Sequence, residues 1–100
     1  GDEAALVQAL PDADRMLTPE FSVAMVRFAV RYEFARTIED VLARRYRLLF
    51  LDAQLAAQLA RPVAEILREE LGAGFDVQQA VQRFHLLCLR YQGELNATDN

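Results

Sequence analysis

A capped amphipathic helix in the middle of the chain is the feature that most constrains the fold. Thr37 is followed three residues later by Asp40, which resembles a capping box with Asp in place of the usual Glu. Glu39 and Asp40 also place negative charge in the first turn, where the helix dipole favours it. From Ile38 onward, apolar residues recur at helical spacings on one face: Ile38, Val41, Leu42, Leu48 and Leu49. We therefore predict a helix from Ile38 to Leu51.

Similar signals divide the first third of the chain. A short helix is expected from Glu3 to Leu10, and Pro11 would end it. Thr18 followed by Pro19 predicts the start of the next helix, because proline suits the first helical position. That helix is apolar on two faces, which is typical of a central helix.

The last half of the chain also reads as helix. Asp52 is expected to cap or continue into a helix that is rich in Ala and Leu and reaches Gly72, with Pro62 kinking or restarting it. Asp76 would cap the final helix and Gly93 would end it. Residues 94–100 are polar, and we expect a frayed tail there.

These patterns predict a single domain over residues 1–100. No run of β-branched residues alternates with polar ones between turn residues, so no strands are expected. With 53% hydrophobic residues, 100 residues are enough to bury a core. The predicted fold class is all-α, a compact bundle of four to five short helices.

Three arginines near the middle helix have different predicted surroundings. Arg45 falls in the middle of the apolar stripe, whereas Arg44 can pair with Asp40 four residues earlier. A core-facing guanidinium needs a carboxylate partner, and Glu33 is one of the two nearest candidates, with Asp52. Alternatively, Arg45 reaches water over its aliphatic stem. We predict that Glu33, Asp40, Arg44 and Arg45 form a structural charge network or a docking surface.

An ordered string of residues in this region carries a family resemblance. Glu-Asp-Val-Leu-Ala-Arg-Arg-Tyr-Arg at residues 39–47 follows Thr37 and precedes Phe-Leu-Asp at residues 50–52. Together with residues 62–66 and 69–72, the string resembles the C-terminal helical domain of FAD-dependent, quinone-linked glycerol-3-phosphate dehydrogenases and glycerophosphate oxidases. The resemblance is strongest over residues 18–72. Tyr46 departs from it, since the family usually has a small hydroxyl residue there.

The resemblance implies a noncatalytic domain of a larger flavoenzyme. In that family, FAD and the catalytic groups belong to a large N-terminal part, so no catalytic, cofactor-binding or metal-binding residue is expected here. The full enzyme would oxidise sn-glycerol 3-phosphate to dihydroxyacetone phosphate and pass electrons through FAD to quinone. The expected partner is the flavin domain of the same chain, in a cytoplasmic parent that is peripheral on the inner membrane.

The residues themselves also argue against a site of independent chemistry. Gly72 and Gly74 flank one Ala and read as a helix end rather than a dinucleotide fingerprint, and the chain has no lysine for a P-loop. His85 and Cys88 lie three residues apart, but nothing supplies two further metal ligands. Cys88 is therefore expected to be a core residue.

Charge and hydropathy narrow the range of partners. A net charge of −4 gives no basic field for DNA or RNA. No apolar run reaches the ~18 residues of a membrane span, and no basic amphipathic helix offers a membrane anchor. Four apolar residues fall outside the main stripes and are candidates for contact with the flavin domain or with a second copy in a homodimer: Phe50, Leu51, Leu86 and Leu89. The alternative function is a free-standing helical module for protein–protein interaction.

Overall fold

A computed structural model describes the backbone of residues 2–98 and the side chains of residues 3–94. Within this range, five α-helices, one π-helix and a two-stranded sheet follow in chain order: α1 (Asp2–Gln8), β1 (Met16–Thr18), β2 (Phe21–Ser22), α2 (Val23–Glu33), the π-helix (Asp40–Arg45), α3 (Leu48–Leu51), α4 (Ala53–Leu71) and α5 (Val77–Thr98). Helix accounts for 72% of the structure, which confirms the all-α class.

The core lies around α2 and α4. α2 is buried along most of its length, as its two apolar faces indicate, and it packs against α1, α4 and the π-helix. α4 lies between α2 and α5 and packs most extensively against α5. The largest fully buried side chains come from α2, the middle segment and α4: Val23, Val26, Ile38, Val41, Leu42, Val63 and Leu67.

The prediction that the chain has no strands is wrong for residues 16–22. β1 and β2 pair antiparallel, with Met16 opposite Ser22 and Thr18 opposite Phe21. Pro19 lies in the turn between them rather than in the first position of a helix, because Thr-Pro suits a turn as well as a helix start. Ser22 instead caps α2, since its hydroxyl accepts a hydrogen bond from the Met25 amide at 3.2 Å.

The predicted single helix from Ile38 to Leu51 is also wrong, because the chain breaks into two short helices. In the π-helix, the Tyr46 amide donates to the Val41 carbonyl five residues back, at 3.1 Å. Arg47 then adopts a left-handed conformation with φ 56° before α3 begins. A π-helix takes more residues per turn than an α-helix, so the side chains after Asp40 do not follow the 100° stripe.

The last two helices run through the residues that were expected to interrupt or end them. α4 spans Ala53–Leu71, close to the predicted range, and continues through Pro62, so of the two predicted alternatives, a kink or a restart, the restart is wrong. α5 continues past Gly93 to Thr98, and the predicted frayed tail is therefore helical over residues 94–98. Glycine ends a helix by adopting positive φ, and of the described glycines only Gly72 does so, at φ 105°. Residues 99 and 100 lie outside the described range.

Candidate docking surface

The capping signal at Thr37 fixes the side chain of Asp40. The Thr37 hydroxyl accepts a hydrogen bond from the Asp40 amide at 3.0 Å, as predicted for a capping box. The Asp40 carboxylate accepts in return from the amides of Arg36 at 2.9 Å and Thr37 at 3.2 Å. Asp40 is therefore held at the start of the helical turn that leads to Arg44 and Arg45.

The C-terminal end of α2 places Phe34 on the surface. Phe34 caps the helix in a left-handed conformation with φ 61°, and the Ala29 carbonyl accepts hydrogen bonds from the amides of Phe34 and Ala35. The Arg36 guanidinium donates to the carbonyls of Val30 at 3.3 Å and Ala35 at 2.8 Å. These bonds satisfy the end of the helix, while 73% of Phe34 is exposed.

Arg45 lies between carboxylates at the edge of the core. Its Nε donates to Glu33 at 2.6 Å, and its Nη2 donates to Glu3. Its guanidinium carbon also lies 4.8 Å from the centre of the Tyr46 ring, within cation–π range. Asp52, the other candidate partner, instead caps α4 by accepting from the Leu55 amide at 3.0 Å.

Arg44 has looser contacts than Arg45. Its nitrogens lie 3.6 Å from Asp40 and 3.9 Å from Glu39, too far for hydrogen bonds, and 74% of its side chain is exposed. Exposed ion pairs at this spacing contribute about 0.5 kcal/mol or less to stability. Most of the guanidinium is therefore open to an external partner.

The predicted residues surround one surface groove of about 390 Å³. We call it the Phe34 groove, and it is lined by Ala29, Glu33, Phe34, Ala35, Asp40, Arg44 and Arg45. The groove therefore brings the four predicted residues together as two ion pairs: Glu33 with Arg45, and Asp40 with Arg44. Their role as a network or a docking surface stays a prediction.

Tyr46 ties the π-helix to α2. Its hydroxyl donates to the Met25 carbonyl at 3.1 Å, and its ring centre lies 4.9 Å from that of Phe21. Burial raises the pKa of Tyr46 to about 12, so the hydroxyl remains a donor throughout the physiological range. A small hydroxyl residue at this position lacks the ring that packs against Phe21.

The strongest charge cluster in the described residues is one that sequence reasoning missed. Arg27 is 5% exposed and donates to Asp12 at 2.7 Å, to Glu70 at 3.0 Å and to Glu69 at 3.4 Å. Arg31 binds Glu70 through two hydrogen bonds, at 2.7 and 3.0 Å. The available signal was that Arg27 is the only charged residue in the ten-residue run from Phe21 to Val30.

The hydrogen bonds from Arg31 lower the pKa of Glu70 below its ordinary value, burial opposes this effect, and the hydrogen bond from Arg27 lowers the pKa further. Glu70 therefore stays ionised. The Arg27 Nε has no hydrogen-bond partner, so the cluster satisfies this buried guanidinium through its two terminal nitrogens.

His85 and Cys88 have ordinary structural surroundings. The His85 Nε2 donates to the Ala57 carbonyl at 2.9 Å, and Cys88 is a buried free thiol whose pKa is raised by burial. No group of three or more His, Cys, Asp or Glu residues that could hold a metal ion occurs among the described residues. Across residues 2–98, no helix has the length and apolar character needed to cross a membrane.

Comparison with known proteins finds relatives for most of the chain. A family model described as the C-terminal domain of alpha-glycerophosphate oxidase matches residues 1–78. The chain is 46% identical over 52 residues, or 52% of its length, to "Glycerol-3-phosphate dehydrogenase, mitochondrial" of Schizosaccharomyces pombe. It is 42% identical over 72 residues, or 70% of its length, to "Probable glycerol-3-phosphate dehydrogenase, mitochondrial" of Caenorhabditis elegans. The aligned parts span only 8% and 10% of those relatives, and no solved structure matches.

Proposed function

The chain belongs to the family of C-terminal domains of alpha-glycerophosphate oxidase, and from this membership we propose that it braces the flavin-containing part of a larger enzyme. The observation that carries the proposal is the family match over residues 1–78, in a chain that spans about a tenth of its relatives' length. The domain is noncatalytic in this proposal. It covers the flavin part and holds it in its active form.

The parent enzyme is proposed to be an FAD-dependent glycerol-3-phosphate dehydrogenase. It would oxidise sn-glycerol 3-phosphate to dihydroxyacetone phosphate, with hydride passing to FAD and electrons passing on to quinone. The names of the two relatives support the substrate. In this proposal FAD belongs to the part of the parent that precedes this domain, as the resemblance to a C-terminal domain of the family implies.

Internal ties suit the domain to a bracing role. The Arg27 cluster joins the loop at Asp12 to α2 and to the end of α4, and Tyr46 joins the π-helix to α2. With its own core, the domain can act as one body against the flavin part. Bracing requires such a body, whereas catalysis would require a site that this proposal assigns to the flavin part.

We propose a cytoplasmic parent that is peripheral on the inner membrane. Both relatives carry the word mitochondrial in their names, so the compartment is a point to test rather than to transfer. Fractionation of cells that express the parent shows which compartment holds it. A salt wash of the membranes then shows whether its attachment is peripheral. Release by salt supports a peripheral parent, and retention in the salt-washed membranes contradicts it.

One observation favours a second candidate function. Leu86 and Leu89 are 61% and 64% exposed on one face of α5, and Leu51 is 79% exposed at the end of α3. Such apolar side chains suit a free-standing interaction module that binds a partner helix. A reading frame that begins just before residue 1 would favour the module, whereas one that extends several hundred residues upstream supports the dehydrogenase domain.

The bracing role is tested by expressing the parent with and without this domain. FAD content and dye-linked oxidation of sn-glycerol 3-phosphate are measured for both proteins. We expect the truncated enzyme to lose FAD and activity, while the 100-residue chain alone shows neither. A truncated enzyme with full FAD content and unchanged activity would overturn the bracing role.

A further inference from the structure

We propose that the Phe34 groove is the surface that docks the preceding flavin-containing part of the same chain, with Phe34 as the apolar anchor. This inference rests on the proposed function, since it names the contact through which bracing occurs. The proposed occupant of the groove is the flavin part of the same polypeptide and not a second copy of the domain.

The chain enters the domain beside the Phe34 groove. The family is a C-terminal domain, and the aligned residues span only 8% and 10% of the two relatives, so we expect the flavin part to precede α1. The third residue of the chain, Glu3, is bonded to Arg45 on the rim of the Phe34 groove. The polypeptide that leads into α1 therefore passes close to this groove.

Phe34 combines a left-handed backbone conformation with an exposed ring. A left-handed conformation costs a residue with a side chain about 1 kcal/mol or more relative to Gly, and an aromatic ring in water adds no compensating contact. Yet 73% of Phe34 is exposed at φ 61°. Of the three described non-glycine residues with positive φ, the other two, Asp12 and Arg47, are polar. Phe34 is thus costly for the isolated domain, and burial of its ring against a partner would offset that cost.

The groove is lined by side chains of the types that bind protein partners. Ala29, Ala35 and Phe34 line it, and the Arg44 side chain is 74% exposed with no hydrogen bond to its acidic neighbours. Exposed aromatic and arginine side chains are the types that dominate binding energy at protein interfaces. The groove therefore fits a partner segment with an apolar side chain followed by a carboxylate.

The other apolar surface is less suited to a contact shared by the family. Leu86 and Leu89 lie on α5, beyond residue 78, where the family match ends. All the residues that line the Phe34 groove fall within the matched range. A docking contact that serves the family role is therefore expected at the Phe34 groove.

A photo-crosslinker placed in the full-length parent tests the occupant. Benzoylphenylalanine is introduced at position 34, and at position 89 as the matched control, because Leu89 is exposed to a similar extent. After irradiation, crosslinked peptides are identified by mass spectrometry. We expect position 34 to crosslink within the same chain to a peptide that precedes residue 1, and position 89 to give no such crosslink.

Two results would overturn the proposal. A crosslink from position 34 that joins two chains, seen as a doubled mass, identifies a second copy as the occupant. The absence of any crosslink from position 34 in an irradiated, flavin-loaded parent shows that the groove faces solvent. Either result leaves the truncation experiment unaffected, so docking and bracing can fail separately.

The variant Phe34→Gly in the full-length parent tests the anchor. Gly adopts positive φ readily, so we expect the domain to remain folded, while FAD is released about tenfold faster because the anchor is gone. Gln82→Ala, at an exposed position of α5, should leave the rate of FAD release unchanged. If Phe34→Gly and Gln82→Ala release FAD at the same rate, the anchor role of Phe34 is wrong.

Discussion

Arg27 and Glu70 form an ion pair at 3.0 Å between α2 and α4, with only 6% and 8% of their side chains exposed. Arg31 binds the same carboxylate from the next turn of α2, and Asp12 binds the same guanidinium from the loop before β1. Each buried charge therefore has at least two partners. The pair holds the loop, α2 and the end of α4 together.

Removing Arg27 should destabilise the domain strongly. Arg27→Met takes one partner from the buried Glu70 and leaves Asp12 without its guanidinium, which costs about 3 kcal/mol. Thermal unfolding followed by circular dichroism should show a midpoint lowered by about 10 °C or more. Arg44→Met is the control, and its exposed pairs predict a change within about 0.5 kcal/mol. Equal midpoints for the two variants would contradict the cluster's role.

Acid should weaken the stabilisation that comes from Glu70. Its pKa in the folded state lies below the ordinary value of 4.5, chiefly because of the hydrogen bonds from Arg31. The stabilisation is therefore complete above about pH 4.5 and is lost as the pH falls through the folded-state pKa. Urea unfolding of the wild type and Glu70→Gln should show a stability gap near neutral pH that narrows in acid. A gap that stays constant from about pH 6 to about pH 2 would show that the charge of Glu70 is irrelevant.

Replacing Arg45 should have a smaller effect than replacing Arg27. Arg45→Met removes the hydrogen bonds to Glu33 and Glu3 and the contact with the Tyr46 ring, at 31% side-chain exposure. We expect a loss of about 1 kcal/mol in the free energy of unfolding by urea. Arg90→Met, at an exposed position of α5, should change it little. If Arg45→Met has no effect on stability or on FAD retention in the parent, the charge network is discarded.

A glycine in the hinge between the π-helix and α3 should stabilise the chain. Arg47 has φ 56°, a left-handed conformation that Gly adopts without the penalty carried by a side chain. Gly also loses more conformational entropy on folding, so we expect Arg47→Gly to raise the free energy of unfolding by a net of about 0.5 kcal/mol. Gln58→Gly, at an exposed position within α4, should instead cost about 1 kcal/mol. The two changes are compared by urea unfolding. Destabilisation by both would argue against the left-handed hinge.

Cys88 should react with thiol reagents only when the core opens. The thiol is 3% exposed and burial raises its pKa, so few thiolates are present and few are accessible. Labelling with a maleimide should be about a hundredfold slower in the native chain than in concentrated urea. A native rate equal to the rate in urea would place Cys88 outside the core.

Local signals in the sequence were sufficient for some features and insufficient for others. The Thr37 cap depends on residues three apart, and it forms as predicted. Thr18 and Pro19 suit both a helix start and a turn, and only the pairing of β1 with β2 decides between them. The π-helix depends on one extra residue in a helical turn, which no apolar period reveals. Arg45, which the regular helical period places in the middle of the apolar stripe, therefore lies at the Phe34 groove with 31% of its side chain exposed.

The Arg27 cluster shows a different limit of prediction from sequence. Its acceptors lie 15, 42 and 43 residues away along the chain, so helical spacing cannot identify them. Arg27 itself was detectable as a lone charge in an apolar run, but the choice of partners required the packing of α2 on α4. The Glu33–Arg45 pair was within reach because its two residues are only 12 apart along the chain.

The position of α5 has a consequence for where the boundary of the domain is drawn. Val81, Phe84 and Cys88 bury their side chains in the core, although the helix that carries them lies almost wholly past residue 78. The stretch that resembles the family is thus shorter than the stretch that must fold. A transplant of this domain into another parent that stopped at the end of the resemblance would leave an apolar side of α4 in water.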